Sequence, residues 1–234
     1  MSDKVKNWYD SLSKDLKRES KLDKNYKKHL IQPNSMICCI GGTGSGKTTS
    51  LVEFLSRKNE AFFDIIIFSG STTDEPLYSM LKQKMPDIRL INDINELPEL
   101  KEFDTDDKDQ ERLIIFDDFV NLKKTEMKKI NEYLTAGRKF GFTCWCMCQN
   151  YTSCPKIITR NIHYFIMFKL NDNTTINNII RNHNINDIDK ETFKKYYQEA
   201  TSEPRQFFMI DLKKPETHLR KNFLNIYPKS DIKK

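Results

Sequence analysis

Residues 36–48, Met36-Ile37-Cys38-Cys39-Ile40-Gly41-Gly42-Thr43-Gly44-Ser45-Gly46-Lys47-Thr48, run from a short apolar strand into a glycine-rich turn. The turn fits the pattern G-x-x-x-x-G-K-[ST] of a phosphate-binding loop. Each position has a physical task. Glycines at 41, 42, 44 and 46 let the backbone turn tightly and approach an anion closely. The loop amides and the helix N-terminus after them direct partial positive charge at phosphate oxygens. Lys47 adds a full charge, and the Thr48 hydroxyl suits Mg²⁺. Residues 41–49, Gly41 through Thr49, are therefore the expected nucleotide contacts. A chance glycine-rich turn is the bland alternative, and the strand before it and helical pattern after it argue against that.

Downstream of the loop, Thr49 to Ser56 reads as a helix with Leu51, Val52 and Leu55 on one face. Strand-like apolar runs follow at Phe63–Phe68, Ile88–Ile91, Leu113–Phe116, Phe142–Cys148, His163–Leu170 and Arg205–Leu212. Helices are expected at Leu77–Lys84, Lys123–Leu134, Thr174–Asn182 and Asp189–Glu199. Apolar strands alternating with helices predict an α/β fold with a mainly parallel central sheet, covered on both faces. Residues 1–30 read as a charged helical arm with Trp8, Tyr9, Leu12 and Leu16 as a partial apolar stripe, ended by Pro33. The expected organisation is a basic arm over 1–32, an ATPase domain over 33–225 and a basic tail over 226–234. Residues 92–111 turn acidic, and their second half reads as an exposed loop.

Leu113–Phe116 ends in Asp117-Asp118. In phosphate-loop ATPases the first carboxylate at such a strand end holds Mg²⁺, here Asp117. The second, Asp118, is the candidate general base for the attacking water. A helix cap or plain loop carboxylate is the competing account. Gln149 ends the next strand and is a candidate sensor of the γ-phosphate, with a simple strand-end polar residue as its rival. An intervening strand and a second carboxylate favour the additional-strand (ASCE, RecA-like) class over a nucleotide kinase. Arg138, before that strand, is the preferred arginine-finger candidate, and Arg160 is the other.

The chain has 234 residues, 38% hydrophobic and 31% charged, with a net charge of +6. That bounds it to about one domain with polar extensions. No apolar run approaches the ~20 residues that span a bilayer, and the N-terminus lacks a signal core, so an intracellular location is expected. The basic excess sits at the two ends, compatible with nucleic acid. Six cysteines (38, 39, 144, 146, 148, 154) lack C-x-x-C spacing, so buried reduced thiols are expected in preference to a metal site.

GGTGSGKTTSL, LIIFDDF, AGRKFGFTCWCMCQNYTSCPKIITRNIHYFIMFKL and EATSEPRQFFMIDL together resemble the poxvirus-type genome-packaging ATPases of the FtsK/HerA superfamily. The family extends to giant viruses and virophages, and the resemblance covers about residues 33–225. It implies Lys47 and Thr48 on nucleotide and metal, Asp117 on Mg²⁺, Asp118 on water, Gln149 as sensor and Arg138 as finger. It also implies ATP hydrolysis coupled to translocation of double-stranded DNA. A homo-oligomeric ring, pentamer or hexamer, would act with a capsid component at the packaging vertex, in the host cytoplasm, the viral factory or the virion. Two alternatives stay open: a nucleotide-gated assembly protein with little hydrolysis, and a phosphate-loop small-molecule kinase.

Overall fold

A computed structural model describes residues 6–13, 22–59, 62–70, 75–103, 110–119, 121–183, 185, 188–213 and 217–228. A nine-stranded sheet organises the fold, in the spatial order β3-β2-β4-β5-β1-β6-β7-β8-β9. The strands are β1 (Met36–Ile40), β2 (Asp64–Ser69), β3 (Arg89–Ile91), β4 (Arg112–Asp117), β5 (Phe142–Cys148), β6 (Tyr164–Met167), β7 (Phe208–Asp211), β8 (His218–Lys221) and β9 (Asn225–Ile226). From β3 to β6 every pairing is parallel, and β7 to β9 continue antiparallel. The extra strand β5 lies between the loop strand β1 and the carboxylate strand β4, as the additional-strand class requires.

Alternation of side chains splits the strands between two cores. On one face Ile37, Cys39, Ile115, Trp145 and Met147 meet helices α1 (Lys47–Lys58) and α2 (Pro76–Lys84) through Leu51, Phe54, Tyr78 and Leu81. The Trp145 ring stacks on Phe54 at 5.3 Å. On the other face Cys38, Cys144, Cys146 and Cys148 meet α3 (Lys124–Ala136), α4 (Lys156–Asn161), α5 (Asn173–Asn182) and α6 (Lys190–Ala200). All six cysteines are free and buried. No helix among the described residues is long and apolar enough to cross a membrane.

The two ends of the chain depart from the sequence expectation. Among the described residues of the arm, short 3-10 helices form at Trp8–Ser11 and Tyr26–Lys28, and no long helix does. Asn7 and Asp23 accept hydrogen bonds from nearby backbone amides, which competes with helix propagation. Trp8 and Tyr9 are exposed, so the anticipated stripe buries nothing there, while Leu16 lies outside the described residues. Of the second half of the acidic stretch, read as an exposed loop, residues 104–109 lie outside them, while Glu111 is half-buried and pairs with Lys58. At the other end, β8 and β9 extend the sheet beyond Arg205–Leu212, the last strand read from the sequence. Arg220 points inward onto Asp211, so a cation stands where strand periodicity asks for an apolar residue.

The end of the arm is docked by a buried charge network. Lys58, the last residue of α1, is 2% exposed. Its ammonium donates to Asp23 at 2.9 Å and to Glu111. Burial raises the Glu111 carboxyl and Lys58 opposes that rise. His29, fully buried, accepts the Ile31 amide at Nδ1 (3.0 Å) and places Nε2 3.0 Å from Asp23. With Nδ1 already an acceptor, the ring is neutral and its proton faces Asp23.

Candidate nucleotide site

The loop between β1 and α1 takes the shape its glycines allow. Gly44 and Gly46 have φ of 74° and 111°, a region that costs other residues strain. A Cβ on Gly41 would meet Phe168 Cβ at 2.8 Å, so that position also needs a bare backbone. Gly42 and Gly44 face open space. Thr43 and Thr49 are exposed, and Ser45 carries a buried hydroxyl with no protein partner. Lys47 opens α1 and curls back, donating to the carbonyls of Gly41 (2.7 Å) and Gly42 (3.0 Å). A helix N-terminus and an ammonium thus converge on one turn, an arrangement suited to a polyphosphate.

β4 delivers Asp117 to the same edge. Its Oδ2 accepts the Tyr78 hydroxyl at 2.7 Å, and that phenol also interacts with Thr48. Burial pushes the Asp117 carboxyl above the usual carboxylate range, opposed by the Tyr78 hydrogen bond and by the Lys47 charge. Burial, with Asp117 beside it, also raises the Tyr78 phenol, so it stays a donor. The predicted trio Lys47, Thr48 and Asp117 is therefore assembled, and Tyr78 joins it without having been foreseen. A phenol at the start of α2, bonded to a residue 39 positions away, leaves no local pattern to read.

Asp118 follows in a left-handed conformation, φ 50°. Gly70, at the end of β2, makes room for it: any Cβ there would collide with the Asp118 carbonyl. Gln149 is exposed immediately after β5, and the preceding Cys148 carbonyl accepts the Gly41 amide at 3.3 Å. The strand end carrying Gln149 is thereby tied to the loop. A cleft of about 500 Å³ continues from Gly44 and Ser45 along Phe168, Lys169, Asn171 and the turn through Arg205, a size suited to the nucleoside half of a ligand.

Arg138 and Arg160 are not near this site within one chain. Both are exposed and line a cavity of about 430 Å³ at the start of β1 and β5, with Asn34, Asn161 and His163. One strand length, about 20 Å, separates that edge from the loop. Among the described residues, no carboxylate lines the cavity. Burial, with the Lys213 and Arg138 charges, pushes His163 down to about 4. Lys213 is lowered by burial and then by Arg138. The two arginines thus form a cationic patch that faces away from their own phosphate loop.

Residues 22–211 match the family described as Poxvirus A32 protein. No curated protein sequence matches the chain. B204, the DNA-packaging ATPase from Sulfolobus Turreted Icosahedral Virus, is similar with a TM-score of 0.57 and 16% identity, over 82% of this chain and 99% of that one. The genome packaging NTPase B204 from Sulfolobus turreted icosahedral virus 2, in complex with AMPPCP, gives 0.53 and 17%, over 80% and 97%. The cytoplasmic domain of the Thermomonospora curvata Type VII secretion ATPase EccC gives 0.53 and 14%, over 86% of this chain and 28% of that one. At such identities the likeness is one of fold.

Proposed function

Because the chain belongs to the Poxvirus A32 protein family, we propose that it hydrolyses ATP to drive viral double-stranded DNA into a capsid. One observation carries the reading: Lys47, Thr48 and Asp117 meet at one edge of the sheet, with Gln149 beside the loop. A hydroxyl and a carboxylate form a hard oxygen donor set that fits Mg²⁺, and the orphaned Ser45 hydroxyl fits a phosphate oxygen. When bound, the ion neutralises charge on the β- and γ-phosphates.

The remaining work falls to the chain. The loop amides hold the polyphosphate, and Lys47 exchanges two neutral carbonyls for anionic oxygens. Asp118 takes a proton from the attacking water, and Gln149 orients that water against the γ-phosphate. Arg138, one strand length away in its own chain, reaches the loop of a neighbouring subunit and completes the site in a ring of five or six. Arg160 shares that cavity and is the second candidate for the same task. Backbone contacts to DNA from the basic chain ends suit a motor that moves any sequence. The ring docks on a capsid component at the packaging vertex and works in the host cytoplasm, the viral factory or the virion.

The test is phosphate release by the purified chain with and without duplex DNA, across salt concentrations. Turnover should rise with DNA, fall as salt rises, and vanish in Lys47→Ala. Asp118→Asn should keep ATP binding and lose at least about 100-fold in turnover. Wild-type turnover no higher than that of Lys47→Ala would instead favour a nucleotide-gated assembly protein.

A further inference from the structure

Three sulfur atoms from separate segments meet beneath the nucleotide site. Cys38 lies in β1, Cys148 closes β5, and Cys154 sits in the turn leading to α4. All three are buried, and their Sγ atoms lie within 4.8 Å of one another. Cys38 and Cys154 are 3.6 Å apart at sulfur. Parallel pairing sets Ile40 opposite Cys148, so Cys38 and Cys148 share a face two positions apart. The turn then folds back, with the Cys154 amide donating to the Tyr151 carbonyl at 3.2 Å, and brings in the third thiol.

We propose that Cys38, Cys148 and Cys154 bind one soft, thiophilic cation, and that Cu(I) is the ion whose chemistry fits. Three sulfurs around an ion at a metal–sulfur distance of about 2.3 Å stand about 4 Å apart, so the spacing needs little movement. A disulfide would require one pair to close to about 2.05 Å. Among the described residues no histidine or carboxylate joins the cluster. That argues against the four-ligand protein cages of structural zinc and the oxygen shells of magnesium or calcium. An all-sulfur, three-donor set in apolar surroundings matches a soft monovalent ion.

Binding forms three metal–sulfur bonds and releases the three thiol protons to solvent, with no change of oxidation state. The Lys47 ammonium acts on the Cys148 sulfur and offsets part of the resulting negative charge. Such an ion would clamp β1, the end of β5 and the turn that begins with Gln149. It would set the stiffness of the segment argued above to orient water.

The experiment uses the full chain, reduced, metal-free and anaerobic, titrated with Cu(I) against a chromogenic Cu(I) chelator. Wild type and Cys144→Ser should each withdraw one Cu(I) per chain, with X-ray absorption reporting a sulfur-only shell. Cys38→Ser, Cys154→Ser and Cys154→Ala should lose that equivalent while keeping the far-ultraviolet circular dichroism of wild type. A wild type that leaves the chelator loaded overturns the proposal and leaves the thiols as packing groups. So does Cys154→Ser binding as much as wild type, or uptake of Zn(II) in a parallel titration with no uptake of Cu(I).

Discussion

Lys47 and Lys58 open and close the same helix, and their ammonium groups meet opposite fates. Lys58 stands at the negative pole of α1, buried between two carboxylates. Lys47 stands at the positive pole, where a cation is disfavoured, and its partners are neutral carbonyls. The first obeys the rules for a buried charge. The second breaks them, and leaves its attraction available to an incoming anion. Residue type does not separate a structural lysine from a functional one; the charge of its neighbours does.

Arg138 carries the largest expected effect, since it is a third cation whose cavity offers no carboxylate among the described residues. Arg138→Ala should lower turnover of the assembled protein about 1000-fold while sparing nucleotide binding. Mixing it with Lys47→Ala chains should restore activity, because each variant supplies what the other lacks. No recovery in the mixture would remove the trans assignment. Next is the lysine pair itself. Lys58→Met should cost about 3 kcal/mol in denaturant unfolding, as Asp23 and Glu111 lose their shared cation. Lys47→Met should change stability by less than about 0.5 kcal/mol and lose nucleotide affinity. Equal destabilisation by both would erase the distinction drawn above.

A smaller effect comes from protons. Burial lowers His29 to about 4, against the pull of Asp23, while an unfolded histidine titrates near 6.5. The unfolded chain therefore takes up the proton first as pH falls. The stability His29 contributes is complete above 6.5 and is lost between 6.5 and about 4, at no more than about 1.4 kcal/mol per pH unit. His163, lowered to about 4 by burial and its cationic neighbours, adds a parallel loss. Unfolding curves across that window should show a slope that His29→Gln reduces, with His163 and His183, also lowered by burial, carrying the remainder. The smallest effect is that of Tyr78→Phe, which removes one hydrogen bond to Asp117. It should weaken Mn²⁺ binding to the nucleotide-loaded protein by about fivefold, near 1 kcal/mol. Unchanged Mn²⁺ affinity would leave Tyr78 as a packing residue.

What the sequence disclosed follows from how local each signal is. The phosphate loop is legible because its glycines, lysine and threonine act within one turn, and β5 lies at Phe142–Cys148 as its unbroken apolar run foretold. The strand-end positions of Asp117 and Gln149 were legible because strand ends are visible in the pattern. β8 and β9 were not, since Arg220 puts a charge at an inward position that only its pairing with Asp211 makes tolerable. The docked end of the arm was hidden for the same reason, with Asp23 and Lys58 35 positions apart. The cysteine cluster joins residues 116 positions apart, so its spacing resembled no metal motif.

The strand that carries the phosphate loop stands fifth of nine, with four strands on either side. A recoil of the loop on cleavage of its cargo would therefore pass into a strand paired along both edges. Neighbouring strands share that load through shear along their ladders, and the loop cannot peel away as it would from a sheet edge. The seat stays put, and any stroke must be spent in the segments around it.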